Sequence, residues 1–306
     1  MEVTSTKRDS KKAVIIYSLF ALAVCFLLGI LSAVIPGAAG ESIYSFSRIV
    51  FAFIPVIAVL FTRAVIKDKS SWNFNIKVWR DKKTLLLCAF LPGVILLSGA
   101  AIYYMIFPHE LFPNTQSLFD FIAGYGAPEG LPVNGGSIAL AAVILWVVSA
   151  VALPIHFRAL GEEIGWRGFL LPKMLSFMSV RKAVLLNAIL WGIVHMPDIL
   201  RGFNYGMNYW GAPVTGVIVF IVFCICAGIC LSYITIKTNN CMYAAIFHGA
   251  VNVVADMQIL TEVFNKPLIG PAPTGIVGMS VFIVVAVIVF IVFMKKLGVI
   301  NSKEIP

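Results

Sequence analysis

Gly161-Glu162-Glu163-Ile164-Gly165-Trp166-Arg167 is the stretch whose reading decides the fold. Two carboxylates stand where apolar sequence should continue, with hydrophobic runs on either side. An ionisable side chain at mid-depth in a bilayer costs about 2.5–3.5 kcal/mol, so such residues are rare there and mark function. His195 and His248 follow, each inside its own long hydrophobic run. Acids, imidazoles and amides thus recur as three short motifs in a chain with few charges to spare.

Sixty per cent of the 306 residues are hydrophobic and only 12% are charged. A soluble globule carries about 25% charged residues. With a mean hydropathy of +0.96, the expectation is an all-α polytopic membrane protein. It is a single integral membrane domain over 1–306, with no room for a separate soluble domain. The net charge of +9 does not point to nucleic acid, because the basic residues sit at the ends of apolar segments as orientation signals do. Cys25, Cys88, Cys224, Cys226, Cys230 and Cys241 lie in or beside apolar stretches and read as small apolar fillers.

Apolar runs of about 20 residues span the hydrocarbon core as helices. They occur near 13–35, 48–66, 84–107, 137–157, 182–199, 213–236, 241–260 and 275–295, a bundle of about eight helices. The first run is too long for a signal-peptide core and reads as an anchor. With the N-terminus cytoplasmic, 20 of the 23 basic residues fall inside, leaving Arg48, Arg201 and Lys266 outside. That division puts both termini, 1–12 and 296–306, in the cytoplasm of what reads as a bacterial cell membrane. The 108–136 connection, rich in Pro and Gly, reads as an external cap. Segment 158–182 carries too many charges for a lipid-exposed crossing. It reads as the cytoplasmic end of the fourth helix, continuing into an amphipathic piece that stops by Lys173–Ser179.

The catalytic core is expected at 137–260. At 100° per residue, Gly161, Gly165 and Gly168 share one face, where small residues admit a neighbouring helix. Glu163 and Arg167 are i and i+4, the favoured order for an ion pair. Glu162 lies 100° away, so the two glutamates cannot do the same job. Glu163 reads as structural, and Glu162 is left free to act as a base. In Trp191-Gly192-Ile193-Val194-His195 the indole is one turn from the imidazole and can wall it off. Asp198 is a candidate to orient that ring, although Pro197 is expected to end the helix. His248, Asn252 and Asp256 form an i, i+4, i+8 stripe that must face a cavity or protein partners. An imidazole and a carboxamide on one face suit a developing oxyanion. The bland readings are interfacial caps for the glutamates, a hydrogen-bonded core residue for His195 and interhelical glue for the stripe.

The order Glu162-Glu163 to Arg167, then Trp191 to His195, then His248 to Asn252 resembles the CPBP family of intramembrane proteases, also called the CAAX-protease and bacteriocin-processing (Abi) family. The resemblance covers roughly 155–260. It implies an eight-helix bundle with a membrane-embedded cavity open to the cytoplasmic side. It also implies that Glu162 and His195 activate water, His248 and Asn252 hold the oxyanion, and Glu163 and Arg167 brace the site. In that family the second motif more usually begins with Phe, where this chain has Trp191. The substrate implied is a membrane-tethered or hydrophobic peptide, cut near the cytoplasmic face.

Two histidines and a glutamate also match a zinc site, with Glu162, His195 and His248 as ligands. The absence of an HExxH pair and the presence of Asn252 favour a metal-free Glu/His pair. Two other functions compete with proteolysis. One is a non-catalytic scaffold, immunity or regulatory protein that binds a membrane partner in the same cavity. The other is a proton-coupled transporter, against which stands the lack of paired repeats. Substrate identity and oligomeric state leave no mark in the sequence.

Overall fold

The computed structural model describes residues 7–110, 143–144, 146–151, 153–255 and 266–293. Most of the expected external cap, Asp256, the whole C-terminal tail 296–306 and the start of the fourth span lie outside these residues. Among the described residues all regular structure is helical. The helices are α1 (Lys7–Val34), α2 (Gly37–Val50), α3 (Ile54–Ile66), α4 (Lys82–Ile106), α5 (Leu153–Glu163), α6 (Leu171–Leu175), α7 (Val180–Val194), α8 (Met196–Leu200), α9 (Val214–Thr238), α10 (Cys241–Ala255) and α11 (Ser280–Ile288). Among them α1, the α2–α3 rod Gly37–Ile66, α4 and α9 are long and apolar enough to cross a bilayer. The second rod starts well before the expected residue 48.

The helices bury small and polar side chains and expose large apolar ones, as a bundle solvated by lipid does. On α1, Ala13, Tyr17, Ala21 and Cys25 form a buried stripe at intervals of four, while Leu19 and Ile30 are exposed. All six cysteines are buried and unpaired, in keeping with their reading as fillers. Ends are set locally: Asp81 caps α4 by accepting from the Thr84 amide at 3.0 Å, and left-handed Lys67 and Asn239 close α3 and α9. Asn240 then clips the 67–81 loop beneath α10, accepting from Asn75 N at 3.0 Å and donating to Asn75 O at 2.8 Å.

Helix α5 packs along α10, α7 along α9, α10 along α4 and α1 along α3. Gly228 of α9 is one reason α7 sits close, since a Cβ there would lie 2.5 Å from Ala188 Cβ. Between α2 and α3 the chain makes a 3₁₀ turn, Phe51–Phe53, just before Pro55. Proline cannot donate a helical hydrogen bond, so the rod tightens there.

Two expectations about 158–182 are corrected. The segment is not an amphipathic surface piece: Gly161 to Arg167 and Phe169 to Met174 are mostly buried. Glu162, Glu163, Arg167 and Lys173 are buried inside the bundle, where Lys173 meets Asp68 at 2.8 Å and Arg167 meets Glu163 at 2.9 Å, while Arg158, Arg181 and Lys182 stay exposed. Nor does Arg158 belong with the cytoplasmic charges while Arg48 is outside. Arg158 Nη2 donates to Arg48 O at 3.3 Å, so both lie at one level. Along the α-helix Glu162 is about 6 Å from Arg158, whereas the segment Ile164–Leu170 separates it from Lys173. Glu162 therefore lies nearer the end of the bundle that carries Arg48 and Arg158 than the Lys173 end.

Candidate active site

After Glu163 the backbone leaves α-geometry for a π-helical segment, Ile164–Leu170, before α6 resumes. The wider i→i+5 turn shifts every later side chain around the axis. Gly161 and Gly165 do share a face, against the α2–α3 junction: their Cβ positions would lie 2.5 Å from Ala52 O and 2.4 Å from Pro55 Cβ. Gly168 departs from the expected stripe and faces Cys241 of α10 at 3.1 Å. The 100° periodicity holds up to the π turn and fails beyond it.

Glu163 is fully buried, and its Oε1 accepts from both Arg167 Nη1 and His248 Nδ1, each at 2.9 Å. The ion pair with Arg167 is the one the spacing predicts. The bond to His248 is not visible in sequence, because it joins residues 85 positions apart. Arg167 is equally buried, with its guanidinium 4.6 Å over the Trp191 ring. A carboxylate shared by two donors in this way offsets part of the desolvation of both charges.

Glu162 points elsewhere, as the helical phase requires. It is 7% exposed, and its Oε2 accepts from Trp191 Nε1 at 2.9 Å. Helix α7 ends at Val194, because Pro197 cannot continue it. The His195 amide turns back to Gly192 O at 3.2 Å, which leaves the Trp191 carbonyl to the His195 side chain. His195 Nδ1 lies 2.8 Å from that carbonyl. Asp198 is therefore not what orients the ring. A carbonyl oxygen can only accept, so Nδ1 carries the hydrogen and Nε2 of the neutral ring keeps its lone pair. The ring is walled by Phe51 at 4.6 Å, Phe220 at 4.9 Å and Trp191 at 5.8 Å.

His248 is likewise tied through Nδ1, but to a carboxylate, Glu163 Oε1, in place of a backbone carbonyl. Its ring meets that of Trp191 edge-on at 5.1 Å. Trp191 thus touches Glu162, Arg167 and both imidazoles, and joins three motifs that lie far apart in sequence. Asn252 is one turn along α10 from His248 and half-buried. Sequence reasoning did not single out His156, a buried residue against Gly249, where a Cβ would lie 2.1 Å from His156 Nδ1. It also passed over Phe51. Phe51 carries a signal that sequence supplies only weakly, an aromatic at a helix break.

A cavity of 470 Å³ lies elsewhere, at the Lys173 end, lined by Ser10, Ser70, Asn73 and Lys173 among others. Of the first motif it touches only Gly168 and Phe169 at the π turn, so it is separate from this constellation. Among the described residues no three His, Cys, Asp or Glu side chains are grouped to hold a metal ion.

The family model for type II CAAX prenyl endopeptidase, Rce1-like, matches residues 138–254. A curated relative, CAAX prenyl protease 2 of Methanococcus maripaludis, is 25% identical over 237 residues, which covers 76% of this chain and 75% of that one. The family match spans the helices that carry all three motifs, so over this region the chain is similar to the CAAX-type membrane endopeptidases that the sequence motifs resemble.

Proposed function

We propose that this protein hydrolyses a peptide bond in a membrane-associated or hydrophobic peptide, using Glu162 and His195 to activate water. The supporting observation is the network centred on Trp191. One Glu162 oxygen is fixed by the indole at 2.9 Å, and His195 Nδ1 is tied to the Trp191 carbonyl at 2.8 Å. Each group keeps its other basic atom for a water molecule. As the water oxygen bonds to the peptide carbonyl carbon, its proton passes to the Glu162–His195 pair. The carbonyl oxygen becomes an oxyanion that accepts from His248 Nε2–H and the Asn252 amide. When the C–N bond breaks, the proton returns to the leaving nitrogen. Glu163 and Arg167 act through His248: they hold its ring and touch no reacting atom.

The substrate class follows the names of the family and the relative, a peptide of CAAX form bearing a prenyl group. A prenyl chain suits an active site reached through the bilayer, and the catalytic core is residues 137–260 of the single membrane domain.

The test compares membranes from cells carrying the wild-type chain or Glu162→Gln. A peptide terminus that appears only with the wild type is expected, and it identifies the substrate. Equal processing by a normally inserted Glu162→Gln protein would leave the non-catalytic scaffold as the better reading.

A further inference from the structure

Arg48 and Arg158 are both exposed, and among the described residues neither is paired with a carboxylate. Yet both are held in place. Arg158 Nη2 donates to the Arg48 carbonyl at 3.3 Å, and the Arg48 guanidinium lies 4.1 Å over the Phe203 ring. Arg158 is one turn from Glu162, and Arg48 is one turn from an aromatic that packs on His195. Arg158 precedes Glu162 by four residues on α5; Arg48 precedes Phe51 by three, and the Phe51 ring is 4.6 Å from that of His195. The acids nearby do not neutralise them. Glu41 is taken by Arg201 at 2.7 Å, and half-buried Asp198 is shared between the fields of Arg48 and Arg201. Among the described residues, three guanidinium groups here stand against these two acids.

We infer that Arg48 and Arg158 bind the free C-terminal carboxylate of the peptide substrate. This rests on the endopeptidase reading above and adds how the chain end is recognised. Guanidinium groups present paired donors that match a carboxylate in fork geometry. Neighbours one helical turn apart have Cβ atoms about 5–6 Å apart, and an extended peptide covers about 3.3–3.6 Å per residue. A carboxylate held by these side chains therefore lies only a few residues beyond a carbonyl resting at Glu162 and His195. The tail enters at the Arg48–Arg201 end of the bundle, whichever leaflet bounds it. A phospholipid phosphate is the poorer occupant, because a headgroup held there would obstruct the path to His195.

The experiment uses the full-length protein in neutral-lipid nanodiscs. Its probes are two fluorescence-quenched farnesyl peptides of CAAX form, one ending in a free carboxylate and one in a carboxamide. The wild type is expected to show a KM about tenfold or more lower for the acid than for the amide, with similar kcat, as lost uniform binding predicts. Arg158→Gln and Arg48→Gln should raise KM for the acid alone, and Arg158→Lys should recover part of the difference. Cleavage of the amide reports on folding in every variant. Equal KM for acid and amide in the wild type overturns the proposal, as does a loss in the variants that affects both peptides alike. So does an effect of the variants that appears only when phosphatidylglycerol is added, because it assigns the arginines to lipid. Wild-type cleavage by Glu162→Gln has a different meaning: it removes the catalytic reading on which the proposal rests.

Discussion

Trp191 Nε1 donates to Glu162 Oε2 at 2.9 Å, from one buried helix to another. A phenylalanine, the more usual residue at this point in the family that the motifs resemble, keeps an aromatic ring but is smaller and lacks that donor. Trp191→Phe should therefore keep the fold and the imidazole contacts but leave Glu162 loose. The expected outcome is a fall in kcat of up to about 100-fold with little change in KM. Steady-state kinetics on purified protein decide it, and an unaltered kcat means the indole hydrogen bond does not position the base.

On the proposed division of labour, Glu163 and Arg167 stabilise the fold and Glu162 serves the chemistry. Both are fully buried, and Glu163 Oε1 also takes the His248 proton donor. Glu163→Gln leaves a buried guanidinium without a counter-charge, a change that costs about 3–5 kcal/mol where it has been measured. Thermal melting in detergent should show a clear loss of stability, larger than that of Glu162→Gln. Equal melting temperatures for the two variants would contradict the division of labour between the adjacent acids.

The π turn makes unlike partners of two glycines in one motif. A Cβ at Gly165 would lie 2.4 Å from Pro55 Cβ, 2.5 Å from Tyr17 Oη and 2.7 Å from the Pro55 backbone. At Gly168 the nearest atom is Cys241 Sγ at 3.1 Å. Gly165→Ala should cost about 1–3 kcal/mol, as overpacking does, and Gly168→Ala distinctly less. Yields of folded protein by size-exclusion fluorescence, read with melting curves, test this. The reverse order would mean that the helix remains α-helical through 164–170.

At the Lys173 end, Asp68 lies outside the spanning helices and meets Lys173 Nζ at 2.8 Å. Burial pushes its carboxyl up, but the hydrogen bonds from Lys173 and the Ser70 amide, with the lysine's charge, outweigh burial and hold it below its ordinary value. A depressed folded-state value means the pair's contribution is complete above the usual aspartate range. It is lost as pH falls through the depressed value. Melting temperature against pH should therefore fall more steeply on the acid side for the wild type than for Asp68→Asn. Parallel curves would show that the contact carries no net stability.

Chelation provides a last check. Because the described residues hold no three-ligand group, cleavage should survive dialysis against a strong chelator. Loss of activity that returns with added zinc would require Glu162, His195 and His248 to rearrange into ligands.

The amino-acid sequence alone determined the membrane class, the helical rods and the identity of the motif residues. These follow from composition, from apolar runs of bilayer length and from the cost of burying charge, all of which are local or additive. It also determined that Glu162 and Glu163 face different partners, because helical phase is local. Only the tertiary structure decided what those partners are. Trp191 and His248 reach the glutamates across 29 and 85 positions, and nothing in the spacing encodes those contacts. The π turn that redirects Gly168 likewise comes from packing between helices. The level shared by Arg48 and Arg158 was hidden from a count of charges per loop, because such a count assumes that every charge lies outside the bilayer. Here the buried ion pairs draw Arg167 and Lys173 into the bundle, and Arg158 lies beside Arg48.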